Sequence, residues 1–216
     1  MAVQAEVEGL ALRDAVRELA RERIEPRAAE IDRTAEYPWD VVDLFRTHDV
    51  YAVAFPAEYG GVSGSALTLA MVVEEVAKVC ATSSLLLAVQ ALGGYPILLG
   101  GSEAQRREFL PRLASGELIS AYALSEPDAG SDPAGMRTRA RRDGDSYVLD
   151  GSKMWITNGT VADLIVVFAV TDPERGSRLR DRLAPVCIRT LRKQVVEYIP
   201  FTRRTSLTWD FHPTAP

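Results

Sequence analysis

The sequence predicts an α+β protein, with an all-α helical bundle over residues 1–117 followed by an antiparallel β-barrel-like unit over 118–177. Three observations predict it. Apolar residues recur at three- and four-residue spacing through the first half, the period of a helix face laid on a core. Beyond Glu117 the period falls to two, and β-branched residues gather at 162–171, as in half-buried strands. The change of period follows Gly116, a residue suited to stopping a helix.

Leu12, Ala15, Val16, Leu19, Ala20 and Ile24 lie on one face of an amphipathic helix that Pro26 bends or ends. Pro38 opens a second, short helix carrying Trp39, Val41, Val42, Leu44 and Phe45. The stretch 51–65 is loop-like, rich in proline and glycine, with Phe55 and Tyr59 packing it onto the helices. Residues 66–79 are apolar nearly all round and predict a helix buried between others. Residues 83–92 continue in that manner until Gly93, Gly94 and Pro96 break the pattern. Ser102 and Gln105 have capping-box spacing and open a helix through Phe109 and Leu113.

In the second half, 121–124 is a short apolar strand leading into a polar loop. Asp143-Gly144 and Asp150-Gly151 are tight-turn dipeptides, and 147–150 alternates. The segment 153–158 reads as a strand that puts Trp155 and Thr157 on the same face. From Pro173 onward there are 9 Lys and Arg against 4 Asp and Glu, whereas 16 stand against 26 before it. The span 178–216 is thus set apart as a basic tail without clear alternation; Ile188, Leu191, Val195 and Val196 offer a helix there.

Composition narrows the function. The net charge of -5 argues against a nucleic-acid surface, and no uninterrupted apolar run reaches the ~18 residues of a membrane span. Cys80 and Cys187 lie far apart without nearby histidine, so neither a disulfide framework nor a metal site is expected, and a reducing, cytoplasmic setting is. Glu74 and Glu75 are adjacent on a helix, point about 100° apart and read as a solvated edge rather than an acid/base pair. His48 reads as a capping or surface residue, His212 has no visible partners, and Gly93-Gly94 and Gly100-Gly101 read as helix termini rather than a dinucleotide fingerprint.

One stretch, 122–171, asks for a chemical explanation. Singly, Ser125, Ser131 and Thr157 are ordinary turn or strand hydroxyls. Together with Trp155 and the loop glycines they supply hydrogen-bond donors, hydroxyls and an apolar wall, which are the three things a flavin site requires.

The segments YALSEPDAGSD, DGDSYVLDGSKMWITNG and ADLIVVFAVTD closely resemble the acyl-CoA dehydrogenase family, as do PAEYGGVSGS, TSSLLLAVQ and PILLGGSEAQRREFLPRLASGE in the helical half. The resemblance covers roughly 5 to 172. It implies that Tyr122, the backbone at Leu124, and Ser125 line the flavin ring and its pyrimidine edge, with Ser125 standing where the family more often has threonine. It implies that Gly130 and Ser131 form the turn at the FAD pyrophosphate and the acyl-CoA entrance, that Trp155 covers the ring, and that Thr157 bonds toward N5. Leu86 and Gln90 would line the acyl channel, Ser131 sharing in substrate binding. The implied reaction is α,β-desaturation of an acyl-CoA, a carboxylate removing the α-proton while a hydride passes to FAD and on to an electron-transferring flavoprotein.

The resemblance implies a second helical bundle that supplies the catalytic glutamate and the oligomer contacts, homo- or hetero-oligomeric. Both family positions for that glutamate fall beyond Pro216, so no catalytic residue is assigned within the chain. The charge shift near Ser177 coincides with loss of the family pattern, as a truncation or change of reading frame would produce. The expectation is an incomplete, inactive dehydrogenase. Against it stand a non-catalytic acyl-CoA-binding module, a subunit completed by a partner chain, and oxidase or monooxygenase relatives.

Overall fold

The computed structural model describes residues 2–62, 65–144, 146–171, 183–189 and 209–211. Helix α1 (Ala2–Leu19) runs into a five-residue π-helical segment (Ala20–Ile24) and on into α2 (Glu25–Thr34). Pro26 is the physical cause. It has no N–H to give and its ring crowds the carbonyl one turn back, and just before it the Glu25 N–H reaches the Ala20 oxygen, one residue beyond the α pattern. Helix therefore continues past the proline through a π-helical segment, and Val16, Ala20, Ile24 and Ile31 are all buried.

Pro38 sits at the N-cap of α3 (Trp39–Thr47), which buries Val41, Val42 and Phe45. His48 caps its far end, its Nδ1 lying 2.9 Å from the Leu44 oxygen. Two short 3₁₀ turns, Val50–Ala54 and Ala57–Tyr59, follow, and Phe55 and Tyr59 are both buried as the sequence indicates.

Helix α4 (Ala66–Ala77) has a single buried side, carrying Thr68, Val72, Glu75 and Val76, while Leu67 is 65% exposed; it is not enclosed all round. Glu75 corrects the solvated-edge reading. Its carboxylate is buried and accepts from Arg17 Nε at 2.9 Å, Arg17 Nη2 at 3.0 Å and Lys78 Nζ at 2.9 Å. Hydrogen bonds from Arg17 and then Lys78 hold its pKa down at about 2 against the cost of burial. Glu74 stays at the surface, paired with Lys78. The partner sits on α1, 58 residues away, so no local pattern announces it.

Helix α5 (Ala81–Gly100) passes unbroken through Gly93, Gly94 and Pro96. Those glycines are sites of close approach. A Cβ on Gly93 would lie 2.3 Å from Ser120 Oγ, and one on Gly94 would lie 2.2 Å from the Phe55 ring. Unbroken, α5 has the length and the mean hydropathy, 1.4, of a membrane span. Its apolar character has another use here, because more than half of it is buried against α4, β1 and helix α6 (Glu103–Ala114). Ser102 and Gln105 form the expected capping box on α6, and Gly116 takes φ +72 just past its end.

The sheet comprises β1 (Ser120–Ala123), β2 (Arg139–Asp143), β3 (Ser146–Asp150), β4 (Leu164–Val170), β5 (Leu183–Arg189) and β6 (Trp209–Phe211). It is mixed rather than wholly antiparallel. β4 pairs in parallel with β1, with Tyr122 opposite Val166, and meets β2 in parallel where Arg139 faces Val170. β5 pairs antiparallel to β4, and β3 lies antiparallel to both β2 and β6. Parallel pairing of β1 with β4 needs a long crossover, and the intervening loops and the β2–β3 hairpin provide it. Gly144, at φ +60, turns that hairpin.

β5 and β6 lie in the stretch expected to lack strands. Ile188, offered above for a helix, is in β5, while Leu191, Val195, Val196 and His212 lie outside the described residues. Segment 153–158 is loop, not strand, with Trp155 at φ +59 and Asn158 at φ +64.

A buried knot joins bundle and sheet. Gln90 Nε2 donates to the Leu113 and Leu118 oxygens at 2.9 and 2.7 Å, and its Oε1 accepts the Ser120 N–H at 3.0 Å. Asn158 Nδ2 donates to the Ser120 oxygen at 2.9 Å, so the loop after β3 is tied to the same point.

Candidate functional site

β1 delivers the chain from this knot to the polar loop. Leu124 and Ser125 leave the strand with both carbonyls taken: the Leu124 oxygen accepts Lys153 Nζ at 2.9 Å, and the Ser125 oxygen accepts the Met154 N–H at 3.0 Å. Glu126 and Ala129 then close a tight turn, N–H to O at 2.9 Å. The Glu126 carboxylate is buried and accepts from the Arg137 N–H at 2.6 Å, the Thr138 N–H at 2.9 Å and Lys153 Nζ at 2.8 Å. One carboxylate thus clips together 124–126, the entry to β2 and the loop after β3.

Burial pushes the Glu126 carboxyl up, but hydrogen bonds from Arg137, Lys153 and Thr138 outweigh it and hold the group at about 2. Burial likewise lowers the Lys153 ammonium, with Glu126 pulling the other way. Side-chain exposures of 11% and 5% make this a buried ion pair, whose desolvation is repaid only by full hydrogen bonding.

Around this clip the residues singled out from the sequence divide into two groups. Leu124 and Ser125 are bonded directly to Lys153 and Met154, which bring Trp155 and Thr157 to the same locale. Tyr122 packs its ring 4.9 Å from that of Phe168 on β4, and burial raises its hydroxyl pKa. Gly130 and Ser131 stand exposed just past the tight turn, and a Cβ on Gly130 would meet nothing within 4 Å. Trp155 is 86% exposed and Thr157 is exposed beside it. An exposed indole on a left-handed backbone is a strained arrangement of the kind that gathers at ligand sites.

Leu86 and Gln90 are not brought there. Leu86 is buried in the bundle core, and Gln90 spends both ends of its amide on backbone, leaving no polar group for a substrate. Conversely, Glu126 and Lys153 organise the site, yet neither stands out in the sequence. Their significance lies in a contact across 27 residues, and Glu126 shares its motif with Asp128 and Asp132, so nothing in the sequence singles it out.

The donor set fits a flavin. The hydroxyls of Ser125, Ser131 and Thr157, a fixed pair of peptides and an unburied indole occur on two loops held together by hydrogen bonds, beside an aromatic pair on β1 and β4.

Known proteins resemble this chain over most of its length. Residues 7–117 match the acyl-CoA dehydrogenase N-terminal domain, and 121–196 match the acyl-CoA dehydrogenase middle domain, which extends into the stretch set apart as a basic tail. The chain is 45% identical over 166 residues to the probable acyl-CoA dehydrogenase FadE25 of Mycobacterium tuberculosis, covering 77% of this chain and 43% of that protein. Among solved structures it superposes on butyryl-CoA dehydrogenase from Megasphaera elsdenii with TM-score 0.76 and 30% identity, over 84% of this chain and 48% of that one. It also superposes on a chain in the structure of the electron transferring flavoprotein of Acidaminococcus fermentans, with TM-score 0.78 and 31% identity, over 84% of this chain and 47% of that one. The chain spans less than half the length of these relatives. By both domain matches the chain belongs to the acyl-CoA dehydrogenase family.

Proposed function

We propose that this chain carries the flavin-facing and substrate-entrance part of an FAD-dependent acyl-CoA dehydrogenase site, organised as a helical unit over 1–117 and a β-unit from 118. The observation that carries the reading is the double tie of Leu124 and Ser125 to Lys153 and Met154. It fixes two loops, far apart in sequence, in one register. Tyr122 on β1, with Leu124 and Ser125 on the loop that follows it, would face the ring and its pyrimidine edge; on the other loop Trp155 would cover the ring and Thr157 would donate toward N5. Gly130 and Ser131, exposed on their turn, would take the pyrophosphate and admit the acyl-CoA. FAD held by these residues would supply the acceptor for a hydride from the substrate β-carbon. The residues here hold the acceptor, screen it from water with Trp155 and offer Ser131 to the thioester side.

The α-proton requires a base, and the family resemblance places that glutamate outside residues 1–216. The reading therefore expects residues 1–216 alone to bind added FAD weakly, to lose it on purification and to turn over no acyl-CoA. The complete assembly would have an electron-transferring flavoprotein as its redox partner, in a reducing, cytoplasmic setting where the buried Cys80 stays free. Leu85, Leu92 and Leu99 favour completion by further polypeptide. They lie seven residues apart on one side of α5 and are 48%, 44% and 82% exposed, a seam that a second bundle would cover. The test is purification of the chain: a stoichiometric yellow cofactor bleached by an acyl-CoA would overturn the incomplete-site reading.

A further inference from the structure

Resting on the flavin reading above, we propose that Lys153 is a positioning residue that aims the Ser125 N–H at the ring edge of the cofactor. In a trans peptide the carbonyl and the following N–H point to opposite sides. The Leu124 carbonyl is held inward by Lys153 Nζ at 2.9 Å, so the Ser125 N–H is turned outward. The next peptide is held at both ends, its Ser125 carbonyl by the Met154 N–H at 3.0 Å and its Glu126 N–H by the Ala129 oxygen at 2.9 Å, so the Leu124–Ser125 peptide is anchored against a fixed neighbour.

The tie between the two loops does not by itself require a lysine. A buried ion pair of this kind is often matched or bettered by apolar packing, and Glu126 already takes two backbone N–H groups without Lys153. What the ammonium adds is a positive charge on the carbonyl side of the Leu124–Ser125 peptide. Hydrogen bonds in series polarise one another, so a cation on the oxygen strengthens the N–H at the other end as a donor. Lys153 is also two residues from Trp155 and four from Thr157, so the same side chain sets the register between the two halves of the site.

The test uses the 216-residue chain, 15N-labelled, with excess FAD as the probe, in wild type, Lys153→Met and Lys153→Arg. In wild type FAD shifts the Ser125 amide and slows its hydrogen exchange. Lys153→Met abolishes that response and weakens FAD binding at least tenfold while leaving exchange protection in β4 within about twofold, and Lys153→Arg, which keeps the cation, restores binding to within about threefold. A Ser125 response equal in wild type and Lys153→Met, or an arginine variant that behaves like the methionine one, overturns the positioning role while leaving the flavin reading intact. If FAD moves no resonance in 121–171, both fall together. Should Lys153→Met lose the β4 protection, Glu126→Gln decides the matter. It leaves Lys153 without its counter-charge and is expected to reduce the Ser125 response at least twofold, and an unchanged response overturns the proposal.

Discussion

Replacing Glu126 by glutamine removes one charge and almost no volume, which isolates the electrostatic part of the clip. The carboxylate accepts three hydrogen bonds, and its pKa of about 2 lies some 2.5 units below the ordinary 4.5. At about 1.36 kcal/mol per unit, ionised Glu126 contributes about 3 kcal/mol to folding. The pKa is depressed on folding, so this contribution is complete above about pH 4.5 and is lost as pH falls from there toward 2. Glutamine offers one acceptor and one donor where three donors converge, and it leaves Lys153 buried without a counter-ion. Urea denaturation of wild type and Glu126→Gln at pH 7 is expected to show a gap of about 3 kcal/mol, shrinking steadily between about pH 4.5 and 3. A gap below about 0.5 kcal/mol at pH 7, or one that does not narrow in acid, would refute the clip as described.

Other sites give independent checks. Gln90→Leu keeps the volume but strands the Leu118 carbonyl and the Ser120 N–H, and about 2–4 kcal/mol of stability should be lost in the same denaturation assay. Gly94→Ala drives a methyl to 2.2 Å from the Phe55 ring, so its thermal midpoint should fall, and Phe55→Leu in the same chain should recover part of the loss. Glu75→Gln should lower the thermal midpoint at pH 7 and converge on wild type in acid as Glu75 protonates toward its pKa of about 2; parallel curves would contradict the buried pairing with Arg17. Trp155→Ala should leave the urea midpoint within about 0.5 kcal/mol of wild type, because the indole is 86% exposed, yet weaken FAD binding measurably.

The features legible in the sequence were those set by local periodicity and local chemistry. The Ser102–Gln105 capping box, the Asp143-Gly144 turn and the burial of Phe55 and Tyr59 rest on local residue types, whereas the tie of Leu124 to Lys153 joins positions 29 residues apart that no local spacing connects. What was misread depended on partners far along the chain. Gly93 and Gly94 look like breakers until Ser120 and Phe55 are seen against them, and Glu75 looks solvated until Arg17 arrives from α1. The alternation at 153–158 suggests a strand, but Lys153 is drawn down to Glu126 and Trp155 is forced to φ +59, which no strand tolerates. Gln90 sits in an apolar helix facing what resembles a channel, and only the positions of the Leu113, Leu118 and Ser120 backbone groups show it to be a structural pin. The parallel partnering of β1 and β4 spans more than forty residues and leaves no trace in a two-residue period.

The function proposed above is a flavin face within residues 1–216, with the base supplied from outside them. FAD titrated into the purified chain, followed by anaerobic addition of butyryl-CoA while the visible flavin band is recorded, tests both halves at once. The account predicts saturable, weak binding that is lost on gel filtration, and a flavin band that butyryl-CoA leaves unbleached. A tightly held, stoichiometric flavin that bleaches on adding butyryl-CoA would contradict it.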